Sequence, residues 1–407
     1  MTEQDVLCIR EDFPQLKRLI GEKPPIYLDN ACTTLRPLPV IQAVVDHQSR
    51  TTSCHGRAYH RFGREATEAY AGAREAVQGF IGASSPGEIL FVRNATEGLN
   101  LVARSLPMTP DDVVLTTNLE HNSNLLPWQR LARAGRVNHR ILPVDLQGGF
   151  DLQALEGELQ RGVRLVSLFH LSNFSGIEAP VAEVCEMAHR HGALVLVDGA
   201  QSVMTREIRV DQLGADFFVF SLHKMMGPTG IGVLFARRES LDTLSPFLVG
   251  GDTVEDATYE DCVLEKPPER FEAGVANVDG AVGAQAAIEY VQAIGVRRIH
   301  DHVVGLNRMA TEGLKRFDRL HIIGPEDAAR RGSVLNFHVD GLDSRGLARV
   351  LDDRANIMVR YGKHCAHAWF NEEGVPESVR VSFAAYNTEG EVDTLIRTLS
   401  SLLAMID

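Results

Sequence analysis

Between about residues 85 and 235, short apolar runs alternate with longer amphipathic stretches, and this pattern constrains the fold more than any other feature of the chain. Apolar runs bounded by polar residues are typical of buried strands, and repeated strand–helix units build a parallel sheet. Helices are predicted at Leu152–Gln160 and Val181–Arg190, the second opening with Pro180, which suits a first helical turn. The predicted strands are 113–117, 164–169, 193–197, 217–220 and 231–235.

The C-terminal part of the chain has a different pattern. A helix rich in Ala, Val and Ile is predicted at 279–293, and beyond it helices at 298–316, 344–351 and 389–405 are mixed with strands at 333–339 and 357–360. This mixture is typical of a smaller α+β domain. The expected organisation is an N-terminal segment, 1–26, that packs with the small domain, a large domain, 27–285, and a small C-terminal domain, 286–407.

Charge and hydropathy argue against two classes of partner. The 407 residues include 41 Lys+Arg and 54 Asp+Glu, a net charge of −13, and no run of five or more basic residues. We therefore expect no nucleic-acid partner and no anionic membrane surface. The apolar stretches, such as 193–197, are far shorter than the roughly 18 residues of a membrane span. The N-terminal sequence lacks the basic and apolar regions of a signal peptide, so a cytoplasmic protein is expected.

Cysteine spacing gives no sign of a metal site or a disulfide framework. The chain has six cysteines, widely scattered and without a Cys-x-x-Cys pair. Most are expected to be reduced, and no bound metal is predicted. The six are Cys8, Cys32, Cys54, Cys185, Cys262 and Cys365.

Chemically active side chains follow three of the predicted strands. Asp198 ends one strand, Lys224 follows the next, and Asn173 follows a third. Ligands bind beyond the carboxyl ends of strands in an open parallel sheet. Alone, such an Asp is most often a capping residue and such a Lys is most often solvated. Together, 26 positions apart, they are what a pyridoxal phosphate site requires: a lysine for the aldehyde and an acid for the pyridine nitrogen.

Four motifs resemble those of one enzyme family. They are Asp198-Gly199-Ala200-Gln201, Ser221-Leu222-His223-Lys224, Arg270-Phe271-Glu272-Ala273-Gly274 and His364-Cys365-Ala366. Together they resemble the group II (SUF-type) cysteine desulfurase and selenocysteine lyase family, a class V aminotransferase-like group. The resemblance extends from about Tyr27 to Thr388. It implies the α/β PLP-dependent transferase fold type I: a large domain with a mostly parallel mixed sheet and a smaller α+β C-terminal domain.

The resemblance also implies roles for individual residues around pyridoxal 5'-phosphate. Lys224 would bind the cofactor aldehyde, Asp198 the pyridine nitrogen and Gln201 the ring hydroxyl. His121 would stack on the ring, and Asn173 would lie near the ring oxygen and the substrate. The phosphate would be held where a helix begins, since backbone N–H groups there point at an anion. The residues assigned to the phosphate are Ala95, Thr96, Ser221 and His223.

Cys365 is the residue that separates the possible reactions. It lies after a predicted strand, among Arg360, Lys363 and two histidines, a setting that favours the thiolate, whereas the common fate of a free cysteine is burial. By resemblance, Cys365 attacks the sulfur of L-cysteine and leaves L-alanine and an enzyme persulfide. L-selenocysteine is the other possible substrate. Arg380 would hold the substrate carboxylate, assisted by Arg360.

The resemblance further implies partners. A separate acceptor protein would take the sulfur for iron–sulfur cluster assembly or another thiolation pathway, and the enzyme would be a homodimer. Two other hypotheses stay open at this point. One is a different class V enzyme, such as a lyase, epimerase or aminotransferase. The other is a catalytically silent member that serves as a binding partner.

Three segments depart from the family pattern. Val275-Ala276 replaces the usual Thr-Pro, which removes a hydroxyl expected to reach the phosphate across the dimer. Lys363-His364 replaces a His-His pair, and 54–60 differs near the expected mouth of the site. Cys32, which follows Asp29-Asn30-Ala31, is predicted to be a packing residue.

Overall fold

The computed structural model describes residues 1–147 and 149–405. Its strands are β1 Ile26–Tyr27, β2 Ile89–Val92, β3 Val113–Thr117, β4 Asn138–Leu142, β5 Val144–Asp145, β6 Gly149–Phe150, β7 Leu165–Phe169, β8 Leu194–Asp198, β9 Phe217–Ser221, β10 Gly232–Ala236, β11 Val254–Ala257, β12 Cys262–Leu264, β13 Leu320–Ile323, β14 Val334–Val339, β15 Ile357–Met358, β16 Arg360–Gly362 and β17 Ser378–Ser382.

The helices lie on both faces of the main sheet and around the C-terminal sheet. They are α1 Glu3–Glu11, α2 Leu38–Arg50, α3 Arg61–Ile81, α4 Ala95–Ser105, α5 Asn122–Arg133, α6 Leu152–Gln160, α7 Val181–Arg190, α8 Val210–Leu213, α9 Arg238–Thr243, α10 Val278–Ile294, α11 Val296–Leu314, α12 Ser344–Ala355, α13 His367–Glu372 and α14 Glu389–Leu403. Within the described ranges, none of these helices has the length and apolar character needed to cross a membrane.

The main sheet has seven strands in the order β2-β10-β9-β8-β7-β3-β4. The pairs from β9 to β4 are parallel, whereas β10 is antiparallel to both of its neighbours, β2 and β9. This is the mostly parallel mixed sheet that was predicted. Every residue of β3, β7, β9 and β10 is buried, because helices cover both faces, and this burial explains why these strands are continuous apolar runs in the sequence.

Alternation along each strand divides the apolar side chains between two cores. In β9, Phe218 and Phe220 belong to the larger core, and Phe217 and Val219 to the smaller one on the opposite face. Gly199, directly after β8, must be a glycine, since an added Cβ would come within 2.0 Å of the Phe218 ring. This close approach fixes the chain at the point where β8 delivers Asp198.

A second, antiparallel sheet is formed by the C-terminal part in the order β13-β14-β17-β16. The N-terminal segment contacts this part of the chain: β1 pairs with β15, Arg10 forms an ion pair with Glu391 at 2.8 Å, and Arg298 with Asp5 at 3.0 Å. The boundary predicted at residue 285 falls inside α10, a continuous helix. We retain the three-part division as a proposal, with this helix as the connection.

Candidate active site

A cavity of about 220 Å³ lies beyond the carboxyl ends of β7, β8 and β9, where the main sheet meets the loop that follows β16. Its walls bring together every residue that the sequence analysis assigned to a site. These residues are Ala95, Thr96, His121, Asn173, Asp198, Gln201, Ser221, His223, Lys224, Arg360, Cys365 and Arg380. The assignment therefore rests on one contiguous site, although the individual roles stay predictions.

Lys224 and Asp198 are placed by adjacent parallel strands. Asp198 is the last residue of β8, is buried, and accepts a hydrogen bond from the backbone N–H of Ala200 at 3.0 Å. Burial raises the pKa of its carboxyl, while Lys224 and the Ala200 N–H act to lower it. Burial lowers the pKa of the Lys224 ammonium, and Asp198 opposes that change. A lysine with a lowered pKa supplies the neutral amine that attacks an aldehyde.

His121 lies one residue before α5 and is held by that helix. Its Nδ1 accepts the backbone N–H of Ser123 at 3.0 Å, which caps the helix. Burial lowers the pKa of the imidazole to about 3, and the charges of Lys224 and Arg380 act in the same direction. The ring is therefore neutral at pH 7 and presents an uncharged aromatic face to the cavity.

The candidate phosphate pocket is the N-terminus of α4. Asn94 caps this helix, the Ala95 N–H donates to Ser221 Oγ at 2.8 Å, and the Thr96 and Ser123 hydroxyls lie 2.7 Å apart. Hydroxyls and backbone N–H groups at a helix N-terminus suit an anion. His223 closes the pocket; burial lowers its pKa to about 4, and its Nδ1 has no hydrogen-bond partner in the described part of the chain.

Two amide side chains line the cavity and are fixed by backbone carbonyls. Gln201 Nε2 donates to Ala31 O at 2.8 Å, and Asn173 Nδ2 donates to His364 O at 2.6 Å. The Asn173 Oδ1 is buried and has no partner among the described residues. The Asn173 Nδ2 thus joins the segment after β7 to the Cys365 loop, and the Asn173 Oδ1 is left as a free hydrogen-bond acceptor in the described structure.

Arg380 and Arg360 form the cationic wall of the cavity. Arg380, on β17, is only 3% exposed; it donates to Asn173 O at 3.0 Å and to Asp29 Oδ1 at 3.4 Å, and its Nε has no partner within the described ranges. Arg360, on β16, is half exposed and lies 3.6 Å from Asp29 Oδ2. The geometry suits a substrate carboxylate at Arg380, the buried and better fixed of the two.

The Cys365 loop is short and held at both ends. His364 and Cys365 both have positive φ, +47° and +58°, so the chain turns sharply and leaves Cys365 exposed. The Cys365 carbonyl accepts the Asn122 N–H at 2.7 Å. Of the basic residues expected around the thiol, His364 contributes no charge at pH 7, because burial holds its pKa well below the usual range.

Sequence reasoning missed three residues at this site. Asp29 binds both arginines, and Glu120, directly before His121, is a buried carboxyl with no assigned role. The prediction that Cys32 is a packing residue is wrong: its thiol lines the cavity and accepts a hydrogen bond from Arg360 at 3.0 Å. The signal available for Asp29 and Cys32 was their place in the Tyr27-Leu28-Asp29-Asn30 segment, where the family resemblance begins.

Two of the segments that depart from the family pattern, Val275-Ala276 and 54–60, lie outside the cavity, whereas His364 of the third segment lines it. Val275 is 73% exposed, and the His55 ring packs against Tyr70 at a tilt, with ring centroids 4.6 Å apart. His60 caps α3 by accepting the Gly63 N–H. Cys54 is exposed, and within residues 1–147 and 149–405 no group of three or more His, Cys, Asp or Glu side chains is placed to hold a metal.

These residues fit pyridoxal phosphate. The cavity offers a lysine, a buried acid, a neutral imidazole and a helix N-terminus, the donor set that the cofactor's aldehyde, pyridine nitrogen, ring and phosphate require. Two buried polar atoms without partners in the described chain, His223 Nδ1 and Asn173 Oδ1, belong to residues that line this cavity. We therefore assign the cavity to this cofactor.

Comparison with known proteins supports the same conclusion. The chain matches the family model "Aminotransferase class-V" over residues 26–395. It is 38% identical to a probable cysteine desulfurase of Halobacterium salinarum, with 97% of this chain and 96% of that protein covered. A cysteine desulfurase of Haloferax volcanii is 37% identical, with coverage of 98% and 96%.

Solved structures give the same family. The cysteine desulfurase of Thermococcus onnurineus superposes with a TM-score of 0.93 at 38% identity, covering 99% of this chain and 98% of that one. The cysteine desulfurase CsdA of Escherichia coli gives a TM-score of 0.90 at 30% identity, covering 98% of both chains. The predicted PLP fold type I is confirmed. This chain belongs to the class V aminotransferases and, within them, to the pyridoxal-phosphate-dependent cysteine desulfurases.

Proposed function

We infer that this protein converts L-cysteine to L-alanine and holds the released sulfur as a persulfide on Cys365. The observation that carries this proposal is the position of the Cys365 thiol, which lines the same cavity as Lys224 and Asp198 and faces a wall that contains Arg380. A thiol at this point separates desulfuration from the other reactions of class V enzymes.

Substrate binding is assigned to Arg380. Its guanidinium is buried and oriented by Asn173 O and Asp29, so it is held in place before a ligand arrives. A fixed planar guanidinium binds a planar carboxylate with two hydrogen bonds and sets the orientation of the amino acid. Arg360, half exposed, assists at the rim of the cavity.

Proton movement is assigned to Lys224. The bound cofactor supplies an electron sink for the charge that remains when the substrate Cα loses its proton. Lys224 Nζ takes that proton from Cα, a role that burial favours by lowering the pKa of the ammonium. Asp198 would bind the pyridine nitrogen of the cofactor, and the neutral His121 ring would exclude water from the cofactor ring.

Sulfur transfer is assigned to Cys365. Its thiolate Sγ attacks the substrate Sγ, and the substrate Cβ–Sγ bond breaks. The electron pair of that bond goes to the substrate Cβ, which takes up a proton, and the amino acid leaves as alanine. The outer sulfur stays bound to Cys365 Sγ. Because the loop is short and its carbonyls are tied to Asn122 and Asn173, a separate acceptor protein must come to the thiol.

The remaining assignments concern context. The acceptor would deliver sulfur to iron–sulfur cluster assembly or another thiolation pathway, and the enzyme would act as a homodimer. All six cysteines are free, which suits the reducing cytoplasm. L-selenocysteine is the other candidate substrate.

The test is product analysis with L-cysteine and a thiol reductant, using wild-type enzyme and Cys365→Ser. We expect alanine and sulfide in equal amounts from wild type and neither from the variant, with L-selenocysteine assayed in parallel. Pyruvate or a keto acid, formed equally by both proteins, would overturn the proposal in favour of another class V reaction.

A further inference from the structure

Cys32 is a second thiol in the active-site cavity. It lies on a turn closed by a hydrogen bond from its own N–H to Asp29 O at 3.1 Å, and its side chain is half-buried. Both Cys32 and Cys365 line the same cavity of about 220 Å³. The other cysteines lie outside it.

The surroundings of Cys32 suit an anionic sulfur. Arg360 Nη2 donates to Cys32 Sγ at 3.0 Å, and a guanidinium hydrogen bond stabilises negative charge on its acceptor. Arg380, only 3% exposed, lines the same cavity with its Nε unpartnered in the described structure. Lys224 adds a third basic group to the lining. Because Arg380 is assigned to the substrate carboxylate, Arg360 is the donor that would hold a persulfide anion on Cys32.

We propose that Cys32 is a second sulfur-carrying residue, which accepts the sulfane sulfur from the Cys365 persulfide. The proposal rests on the proposed function, since Cys365 must be loaded first. The Cys32 thiolate attacks the outer sulfur, the bond between that sulfur and Cys365 Sγ breaks, and Cys365 leaves as a thiolate. One S–S bond forms as one breaks, so the step needs no oxidant or reductant.

Arg360 connects the two cysteines, which both line the cavity. Arg360, which contacts Cys32, begins β16, and the Cys365 turn follows the end of that strand directly. A persulfide extends the reach of Cys365 by an S–S bond of about 2 Å. Cys365 is exposed and Cys32 is half-buried. Transfer therefore places the sulfur in a shielded position and frees the exposed thiol for a second turnover.

The test counts the alanine that the holoenzyme forms in its initial burst with L-cysteine, before L-cysteine itself reduces the persulfides. No acceptor protein or other reductant is added, and persulfides are mapped by alkylation and mass spectrometry. We expect two alanines per subunit in wild type, with sulfur on Cys32 and Cys365, and one alanine in Cys32→Ser and Cys32→Ala, with sulfur on Cys365 alone. The control is Cys8→Ser, which changes an exposed cysteine of α1 and should still give two alanines per subunit.

The outcomes separate this proposal from the proposed function. One alanine per subunit in wild type, or two in both Cys32 variants, would overturn the role of Cys32 and leave Cys365 as the only carrier. Alanine formation by Cys365→Ala would instead overturn the proposed function itself. The cofactor absorbance of each variant, measured first, shows that the site is intact before alanine is counted.

Discussion

At the scale of single residues, the two arginines of the cavity differ in burial, and this difference predicts their contributions. Arg380 is almost fully buried and has backbone and carboxylate partners, whereas Arg360 is half exposed. Lysine keeps the positive charge but cannot form the planar pair of hydrogen bonds that a carboxylate accepts. We expect Arg380→Lys to lower kcat/KM for L-cysteine by about 10- to 100-fold.

The matched control is Arg360→Lys, for which we expect a smaller loss, mainly in KM. Steady-state kinetics at fixed pH, with alanine as the measured product, would compare the two variants. Equal losses would contradict the assignment of the carboxylate to Arg380.

Glu120 predicts a pH dependence of stability. Its carboxyl is 2% exposed and accepts hydrogen bonds from Thr117, Asn124 and the Phe169 N–H. Burial raises its pKa from 4.5 to about 8. Between these pH values the folded protein keeps a proton that the unfolded chain has released. The folded state therefore loses stability as the pH rises, by about 1.4 kcal/mol per pH unit from this group.

Glu120→Gln removes this titration. We expect the free energy of unfolding of the cofactor-free protein to fall less steeply in the variant than in wild type between about pH 5 and about pH 8. Denaturant unfolding at several pH values would measure the two slopes. Parallel pH profiles would show that the Glu120 carboxyl titrates equally in both states, contrary to the prediction.

At the scale of elements, the Cys365 loop holds two non-glycine residues in the left-handed region. This conformation costs a side-chain-bearing residue about 1 kcal/mol or more, and glycine avoids the cost. We expect Cys365→Gly to be more stable than Cys365→Ala by about 1 kcal/mol, as measured by denaturant unfolding. The control is Ala366→Gly, at φ −117°, where glycine should destabilise. If Cys365→Ala were more stable than Cys365→Gly, the left-handed conformation at residue 365 would not carry the expected cost in free energy.

The same scale shows which elements the sequence predicts. The buried strands β3, β7 and β9 were predicted because burial on both faces makes them continuously apolar. Strand β4, Asn138–Leu142, was not, since it lies at the sheet edge and most of its side chains contact solvent. The single strand predicted at 357–360 is divided between β15 and β16, which pair in different sheets. Long-range pairing, which a local pattern does not contain, decides that division.

In the active site, too, local sequence patterns predict some residues, and contacts between distant parts of the chain decide the others. Lys224 and Asp198 could be predicted because Asp198 ends a strand whose pattern is clear and Lys224 lies three residues after the next such strand. The place of Cys32 could not, because its neighbour in the cavity, Arg360, is 328 positions away in the sequence. Glu120 was missed because its burial depends on the tertiary fold, which also brings the Phe169 N–H of β7, 49 positions away, to its carboxyl.

At the scale of the whole molecule, an exposed apolar surface predicts the homodimer. Val249 and Val275 are among the most exposed apolar side chains of the described chain, and the Gly274 N–H donates to Gly251 O at 2.8 Å, which joins the 250 and 275 segments. Exposed apolar surfaces of this kind mark protein interfaces. We expect sedimentation equilibrium to give twice the chain mass of 44.8 kDa.

Val249→Asp places a charge in this surface and should shift the equilibrium toward single chains. The control is Leu19→Asp, which changes an equally exposed leucine of the N-terminal segment and should stay dimeric. A wild-type mass of one chain would contradict the predicted dimer.

The proposed reaction requires that Cys365 takes the sulfur while alanine leaves. A single-turnover reaction of the holoenzyme with one equivalent of L-cysteine tests it most directly, with alanine quantified and peptides mapped for an added sulfur atom. We expect one alanine per protein-bound sulfur atom, and the loss of both in Cys365→Ala. Alanine without protein-bound sulfur, or an unchanged yield in the variant, would contradict it.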